Sequence, residues 1–494
     1  MPGLVWKSIG GKKRLVMRWK KRINGKLKIV KEIYIGDMEG LASIIENPME
    51  GTDVTALDFG TTAFTILIER DLGLKNIVNS IINHHDMGMS PGDYFLLFIM
   101  NRLSDPRSKE GIERWMSMDY ASTLYEKKGS QDFWNFMDRM TDEHMGLIMK
   151  SVREKLLTMG YDFSHIFVDA SNMYTFMERN DMAKKGHNKA HRSDLNQISY
   201  YICSNHDYIP LFWNSYAGNI HDSQTFPEMV KQIPPDATVI FDRGYNSEKN
   251  VELLHDRKYI GSLVMSDHRE LADLPPGIDS SMETEKEVYG KKHRIIVYHS
   301  SKLQRKRIIS FMKTFMRVYR KAKKIMDSGN SDSPERAKIY LETEKLNETI
   351  LLPGLRINHE RMKKRLKLLG MNALFTNIDD MDKEELMELY RKRNRVEHCF
   401  RTINTMDMAF PVYHWTPQKI RVHMFMSLMS YLFLALIRMR IKPFMELYLP
   451  TVIEVISSIR IVYMARGKNI SMALTASDER AKTIMEAINL EQIL

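Results

Sequence analysis

Three acidic residues that lie far apart in the chain could together form a site for divalent metal ions. Asp169 lies in the apolar stretch HIFVDAS, Asp242 in ATVIFDRGYN, and Glu397 in the basic run ELYRKRNRVEHCFR. Carboxylate oxygens are the ligands that Mg²⁺ and Mn²⁺ prefer. Two such ions about 3.5–4 Å apart can activate a water or a 3′-hydroxyl group and stabilise the leaving oxygen of a phosphodiester. The three acids therefore predict a site for two Mg²⁺ or Mn²⁺ ions.

Basic residues surround Glu397 in the sequence and are suited to hold a polyanion. If residues 379–403 form one long helix, Tyr390, Arg393 and Glu397 lie on one face, because they are three and four residues apart. Asn404, seven residues after Glu397, continues that face. A separate apolar stripe would pack on a sheet, so the charged face would point towards the other two acids. The glutamate would then bind metal while the arginines hold a phosphate backbone.

Each acid taken alone has an ordinary structural explanation. Asp169 could cap a turn at a strand end, and Asp242 could belong only to a turn. Glu397 could pair with an arginine of its own helix, which stabilises a helix by about a few tenths of a kcal/mol. Asp194 is the strongest competing acid, because it precedes a predicted strand. The metal site is favoured because the three acids occur together in a consistent order on suitable elements.

The elements that would position these acids begin near residue 164. The predicted order is strand, strand, strand, helix, strand, helix, strand, with Asp169 at the end of the first strand and Asp242 at the end of the fourth. A right-handed crossover can place the fourth strand beside the first. Ligands of open α/β sheets gather at the carboxyl ends of strands. We therefore predict an α/β fold with a ribonuclease-H-like mixed-sheet core, whose first part is residues 161–279.

The core is predicted to be interrupted and then completed. Residues 371–440 would form its second part, with the strand GMNALFTN and the long helix that carries Glu397. Residues 280–370 are predicted to be an insertion domain with a hairpin and a basic helix. Within it, residues 302–324 contain ten lysines and arginines and no acid, so this block could follow a phosphate backbone. Residues 441–494 are predicted to be a helical tail.

The amino-terminal third is predicted to supply further nucleic-acid contacts. Residues 1–49 are expected to contain a β-hairpin, because strand-like segments flank Asn24-Gly25, a pair typical of type I′ turns. Residues 1–35 contain eleven lysines and arginines but one acid. These basic residues alternate with apolar ones, so one face of the hairpin could lie along DNA. Residues 50–160 are predicted to be a helical DNA-binding domain.

The composition fits a soluble protein that binds a polyanion. The 494 residues are 43% hydrophobic and 27% charged, and the net charge is +11 with a pI near 9.2. Two solvated basic faces remain the alternative explanation. Cys203 and Cys399 are far apart and outside any CxxC pair, which favours a reducing compartment. The apolar run 424–437 is short for a membrane span, and the chain opens without the pattern of a signal peptide. We expect a cytoplasmic, nucleoid-associated protein of a prokaryotic cell with no membrane partner.

The sequence resembles the DDE transposases of prokaryotic insertion sequences, in the insertion-sequence-four superfamily. The segments VDAS around Asp169 and FDRGY around Asp242 resemble the first and second acid motifs of that family. The gap of 155 residues between Asp242 and Glu397 resembles the family's insertion domain. Tyr390, Arg393 and Glu397 match the Tyr-Arg-Glu-Lys signature, in the spacing Y-x2-R-x3-E-x6-K.

One signature position differs. The signature lysine is replaced by Asn404, which carries no charge, while Arg401 lies about one turn earlier. The resemblance implies that the three acids are catalytic and bind metal. The residues predicted to contact DNA, from this resemblance and from the basic hairpin, are Tyr390, Arg393, Arg401, Asn404, Arg243, Lys20, Lys21 and Arg22.

The resemblance implies an enzyme that cleaves the ends of a mobile element and joins the 3′-hydroxyl to target DNA. Its partners would be double-stranded DNA, both element ends and target, and a second copy of the chain when DNA is bound. Two alternatives remain open. A decayed or domesticated copy could bind DNA without catalysis, which Asn404 favours. A ribonuclease-H-like nuclease could cut DNA without joining it.

Overall fold

The structure is a computed structural model. It describes residues 2–23, 26–37, 42, 52–83, 88–106, 108–186, 194–272, 277–352, 354–405, 412, 414–466 and 469–494.

The amino-terminal segment forms an antiparallel sheet of three strands in the order β1-β2-β3. Its strands are β1 (Pro2–Ile9), β2 (Lys12–Ile23) and β3 (Lys26–Gly36). The predicted hairpin is present as β2 and β3, and β1 adds a strand that was not predicted. The proposed turn residues Asn24-Gly25 lie outside the described residues.

A mainly helical region follows. Its elements are β4 (Asp53–Asp58), α1 (Gly60–Leu72), α2 (Leu74–Ile81), α3 (Pro91–Ser104), α4 (Ile112–Met116), α5 (Ala121–Leu124), α6 (Ser130–Asp138) and α7 (Asp142–Thr158). Helix α3 begins where Ser90-Pro91 favours a start, because the Ser90 hydroxyl accepts a hydrogen bond from the Asp93 N–H and Asp93 bonds back to the Ser90 N–H. The strand β4 was not predicted.

The sheet that carries the two aspartates has the predicted order of elements. These are β5 (His165–Thr175), β6 (Asn196–Ser204), β7 (Pro210–Ala217), α8 (Asp222–Gln232), β8 (Thr238–Phe241), α9 (Glu248–Glu252) and β9 (Tyr259–Leu263). β5, β6 and β7 pair antiparallel, while β8 pairs parallel with both β5 and β9. The fourth strand therefore lies beside the first, as predicted.

The next segment adds three strands to this sheet and a small helical unit between them. Its elements are β10 (Ser281–Val288), β11 (Lys291–His299), α10 (Ser301–Asp327), α11 (Ser333–Thr343), β12 (Ile350–Leu351), β13 (Arg356–Ile357), α12 (His359–Leu368) and β14 (Met371–Thr376). The completed mixed sheet has eight strands in the order β10-β11-β14-β9-β8-β5-β6-β7.

The predicted boundary of the insertion at residue 280 is wrong. β10 and β11 belong to the main sheet, because β11 pairs antiparallel with β14 and its residues Ile295, Ile296 and Val297 are fully buried. The separate unit begins only at α10, and it has its own small apolar core. That core includes Phe315, Val318, Ala322, Leu341, Leu346, Ile350 and Leu355.

The region after β14 contains two further departures from prediction. The expected long helix is two helices, α13 (Lys383–Arg391) and α14 (Asn394–Thr405). Helix α15 (Pro417–Ile441) lies in the predicted second part of the core. The predicted tail, residues 441–494, is not wholly helical: α16 (Leu449–Ser457) precedes the hairpin of β15 (Ile459–Arg466) and β16 (Asn469–Ala476), and α17 (Glu479–Ile488) follows. β15 pairs with β4, so the two ends of the chain share one small sheet.

Helix α15 joins the helical region to the main sheet. It is the one described helix that is long and apolar enough to cross a membrane, yet 94% of its apolar window is buried inside the protein. It packs against α1, α3, α6 and α7 on the helical side and against β7 and α14 on the sheet side. The apolar run that it contains is therefore a core helix, as its length predicted.

Candidate active site

The two aspartates lie side by side where the parallel pairing of β5 and β8 ends. The prediction that Asp169 ends its strand is wrong, because β5 continues to Thr175 through its pairing with β6. Val168 of β5 is the register partner of Phe241 of β8. The residues that follow are Asp169 and Asp242, so both carboxylates reach the same edge of the sheet. The strand order predicted this adjacency.

Local hydrogen bonds fix the orientation of both carboxylates. The Ala170 N–H donates to Asp169 Oδ1 at 2.8 Å, and the Arg243 N–H donates to Asp242 Oδ1 at 2.7 Å. The Ser262 hydroxyl of β9 lies 3.4 Å from the same Asp242 oxygen. The Oδ2 atom of each aspartate faces the guanidinium of Arg393.

A single guanidinium group contacts all three predicted acids. Arg393 Nη1 lies 3.6 Å from Asp169 Oδ2 and 3.6 Å from Asp242 Oδ2, while Nη2 lies 3.2 Å from Glu397 Oε1. Glu397 is on the first turn of α14, which packs against β5. The structure therefore brings the three carboxylates together around one cation.

The break between α13 and α14 places Arg393 at this position. The Arg393 N–H bonds to the Tyr390 carbonyl at 3.0 Å, and the Val396 N–H bonds to the Arg393 carbonyl at 3.0 Å. These i to i−3 bonds tighten the backbone for one turn. The break contains neither proline nor glycine, so the local sequence does not predict it. We attribute it to the burial of Arg393 among the carboxylates.

The charges around Arg393 are only partly balanced. Burial alone would lower the pKa of Arg393, but Tyr390 and the carboxylates of Asp242, Asp169 and Glu397 raise it above its usual range. The guanidinium also lies 5.7 Å from the centre of the Tyr390 ring. One positive charge faces three carboxylates, so the cluster attracts further cations.

The cluster is open to solvent on the side of Glu397. The side chains of Asp169, Asp242 and Glu397 are 13%, 36% and 48% exposed. Asp169 therefore forms the buried end of the cluster, and Glu397 lies at its mouth. A charged ligand can approach the acids from the α14 side.

A family model for the transposase DDE domain matches residues 160–433, which is more than half of the chain. The chain belongs to this family. The matched segment of this DDE transposase includes all three acids. Among solved structures, the chain is similar to piggyBac transposase in a synaptic complex with hairpin DNA, determined by cryo-EM, with a TM-score of 0.39, 10% sequence identity and coverage of 82% of each chain. No curated protein sequence matches the chain.

The donor set of the DDE transposase cluster has the right chemistry for Mg²⁺ or Mn²⁺, but its present spacing is set by Arg393. Three carboxylates converge on a common point, and hard cations prefer such oxygen ligands. Across the described part of the chain, no three His, Cys, Asp or Glu side chains stand close enough together to hold a metal ion. The guanidinium of Arg393 lies among the three carboxylates in this structure.

Asn404 lies against the core of the DDE transposase. Its side-chain oxygen accepts a hydrogen bond of 2.9 Å from the Tyr200 hydroxyl, on the buried strand β6. Asn404 was predicted to contact DNA in place of the signature lysine. That contact stays a prediction. A lysine at this position could not accept the hydrogen bond from the Tyr200 hydroxyl.

Asp194 is far from the cluster by strand register. It precedes β6, whose first residue Asn196 pairs with Thr175 at the far end of β5. Thr175 is six residues beyond Asp169, which corresponds to roughly 20 Å along a strand. The competing acid is therefore excluded from this site.

The other predicted DNA contacts fall into two groups. Arg243 directly follows Asp242 and is exposed, and Arg401 is exposed on α14, one turn after Glu397. Lys20, Lys21 and Arg22 are exposed on β2, in the separate amino-terminal sheet.

Three residues near the cluster were not singled out in the sequence. Ser262 contacts Asp242 from β9, and the Tyr298 ring lies beside Arg391. Arg307 bonds to Asn372, the register partner of Tyr298. Arg307 belongs to the basic run 302–324, which was considered only as a block. Nothing in the sequence links Ser262 or Tyr298 with the acids, because their proximity depends on sheet order.

Proposed function

We propose that the chain is a DNA transposase in which Asp169, Asp242 and Glu397 form a metal-dependent catalytic site for cleavage and strand transfer. The convergence of these three carboxylates on Arg393 is the observation that carries the proposal. The family membership supports the same conclusion.

Each side chain has a role that follows from its position. Asp169 and Asp242, oriented by backbone N–H groups, would hold Mg²⁺ or Mn²⁺ together with Glu397. With metal ions held there, a water or 3′-hydroxyl would be activated and the leaving oxygen would be stabilised. Arg393 neutralises part of the charge of the acids, and it can pair with a DNA phosphate in place of the carboxylates. The Tyr390 ring packs beside the guanidinium and limits where it can go.

We further propose a ribonuclease-H-like core and membership of the insertion-sequence-four superfamily. The sheet supports the first, since its order places the fourth strand beside the first and the fifth beside the fourth. The spacing and proximity of Tyr390, Arg393 and Glu397 support the second. Double-stranded DNA would be the substrate, a second copy the partner on paired ends, and the prokaryotic cytoplasm the location.

The amino-terminal sheet and the helical region are proposed as the surfaces that recognise element ends. Lys20, Lys21 and Arg22 are exposed on adjacent positions of β2. Such exposed basic residues bind phosphate with an affinity that falls as salt rises.

The test is a cleavage assay on DNA that carries the flanks of the gene, with Mg²⁺ or Mn²⁺. We expect new 3′-hydroxyl ends at the flanks and their joining to a target plasmid. Asp169→Asn, Asp242→Asn and Glu397→Gln should each reduce both products at least about a hundredfold. Glu388→Gln is the matched control, because Glu388 is an exposed glutamate of α13 that pairs with Lys392.

Cleavage without joining would favour the nuclease, and binding without cleavage would favour the DNA-binding relic. The alternative of a relic was favoured by Asn404, whose side-chain oxygen accepts a hydrogen bond from Tyr200. Full activity of all three acid variants would contradict the proposal.

A further inference from the structure

Arg307 is held in a fixed orientation near the candidate active site. It lies in the second turn of α10, half-buried, and its Nη1 donates to the Leu369 carbonyl at 3.2 Å. Its Nη2 donates to Asn372 Oδ1 at 3.2 Å. These bonds go to neutral acceptors, so the positive charge is positioned but not neutralised.

Tyr298 links Arg307 to the helix that leads to the acids. Tyr298 of β11 pairs directly with Asn372 of β14, which is the residue that anchors Arg307. The guanidinium of Arg391 lies 6.0 Å from the centre of the Tyr298 ring. Arg391 is exposed at the end of α13, two residues before Arg393.

Arg243 is the third basic residue near this position. It is exposed, it directly follows Asp242, and its charge lowers the pKa of Arg307, after the larger effect of burial. Arg391 and Arg307 both lower the pKa of the Tyr298 hydroxyl against a larger raising effect of burial, so these two charges lie near that hydroxyl. Within the described ranges, no ion pair joins Arg243, Arg307 or Arg391 to a carboxylate, whereas Arg393 contacts three.

Resting on the proposed function, we propose that Arg243, Arg307 and Arg391 form a phosphate-binding site around Tyr298 that holds a DNA backbone phosphate beside the one being cleaved. Like charges held close together repel, and a shared anion removes that repulsion. Guanidinium groups bind phosphate oxygens through paired, charge-assisted hydrogen bonds. The α10 unit would thereby contribute directly to positioning of the substrate.

The proposal is tested by DNA binding without divalent metal, so that the result does not depend on cleavage. Fluorescence polarisation would measure the affinity of duplex flank DNA at several salt concentrations. Arg307→Gln should weaken binding about tenfold and reduce the slope of log K against log salt by about 1. Arg391→Gln should do the same, and its exposed position guards against loss of folding.

The matched control is Arg317→Gln on the same helix. Arg317 is already paired with Glu344, at 3.0 Å, so its removal should leave the salt slope unchanged. Equal effects of Arg307→Gln and Arg317→Gln would show only a general loss of charge and would overturn the proposal.

A second arm places a neutral methylphosphonate at single positions of the flank DNA. One position should weaken binding to the wild type but leave Arg307→Gln unaffected. Sensitivity at the same positions in both proteins would overturn the site. Inorganic phosphate at matched ionic strength is the probe for a free anion, and its displacement of DNA from the wild type alone would assign the site to free phosphate instead. If these binding results are obtained but the protein does not cleave DNA, the proposed function is overturned and the phosphate-binding site is not.

Discussion

At the scale of single residues, Arg393 determines the state of the candidate active site. It neutralises part of the charge of three carboxylates that would otherwise repel one another. The identity of the acids and of Arg393 could be predicted from their sequence motifs. Their actual arrangement could not, because it depends on the strand register and on the break before α14.

The variant Arg393→Gln should show whether the guanidinium competes with metal ions for the three carboxylates. Without the guanidinium, the three carboxylates lack their shared cation, so Mn²⁺ should bind at least about tenfold more tightly. The metal-free variant should also melt at a lower temperature than the wild type, and Mn²⁺ should restore much of that loss. Isothermal titration and thermal melts would measure both effects.

Arg336→Gln is the control for that experiment, because Arg336 is exposed and pairs with Asp332, just before its own helix, at 3.8 Å. Unchanged or weaker Mn²⁺ binding by Arg393→Gln would show that the guanidinium does not compete with metal.

At the scale of elements, helix α14 is positioned by its contact with the sheet. The apolar stripe of the predicted helix was correct, since Val396, Cys399, Phe400 and Ile403 are buried. The single long helix was wrong, because tertiary contacts of Arg393 outweighed the uninterrupted helical pattern. The spacing of apolar residues indicates which face of a helix is buried. It does not indicate where one helix ends and the next begins when both bury the same face.

Asn404→Lys, which restores the signature residue, should destabilise the protein. The change removes the acceptor for the Tyr200 hydroxyl and places a charge against a buried strand. We expect a loss of about 1–2 kcal/mol in the free energy of unfolding and no gain in cleavage. Urea denaturation would measure the first, and the flank assay the second.

Tyr200→Phe in the same background provides the control. If the hydroxyl contact carries the effect, the double variant should lose less than the sum of the two single variants. A stable and more active Asn404→Lys protein would show that Asn404 binds DNA less well than the signature lysine does.

At the scale of the whole molecule, segments from near the start and near the end of the chain pack together at the helical region. β4, near the start, pairs with β15, near the end, and α16 packs on α1. The sequence predicted helices before the core and a helical tail after it. It did not predict this sheet, because pairing between residues some four hundred positions apart has no local signal.

Gly60→Ala should disrupt this closure. A Cβ at Gly60 would lie 1.9 Å from the Ile456 carbonyl oxygen of α16, so the backbones must separate. We expect a loss of at least about 2 kcal/mol in the free energy of unfolding. Chemical denaturation followed by circular dichroism would measure it.

Gly146→Ala on α7 is the matched control. A Cβ there meets nothing within 4 Å, so helix propensity should raise stability by about 0.5–1 kcal/mol. Equal stability of the two variants would show that the contact between α1 and α16 is not tight.

The unit from α10 to α12 leaves and re-enters the sheet at one place. His299 at the end of β11 pairs with Met371 at the start of β14, and the Ser300 N–H bonds to the Gly370 carbonyl at 2.9 Å. The two joining points therefore touch, as they would in a simple hairpin. Because the joining points touch, this unit could be lengthened, shortened or replaced during evolution while the strands that carry the acids stay in register.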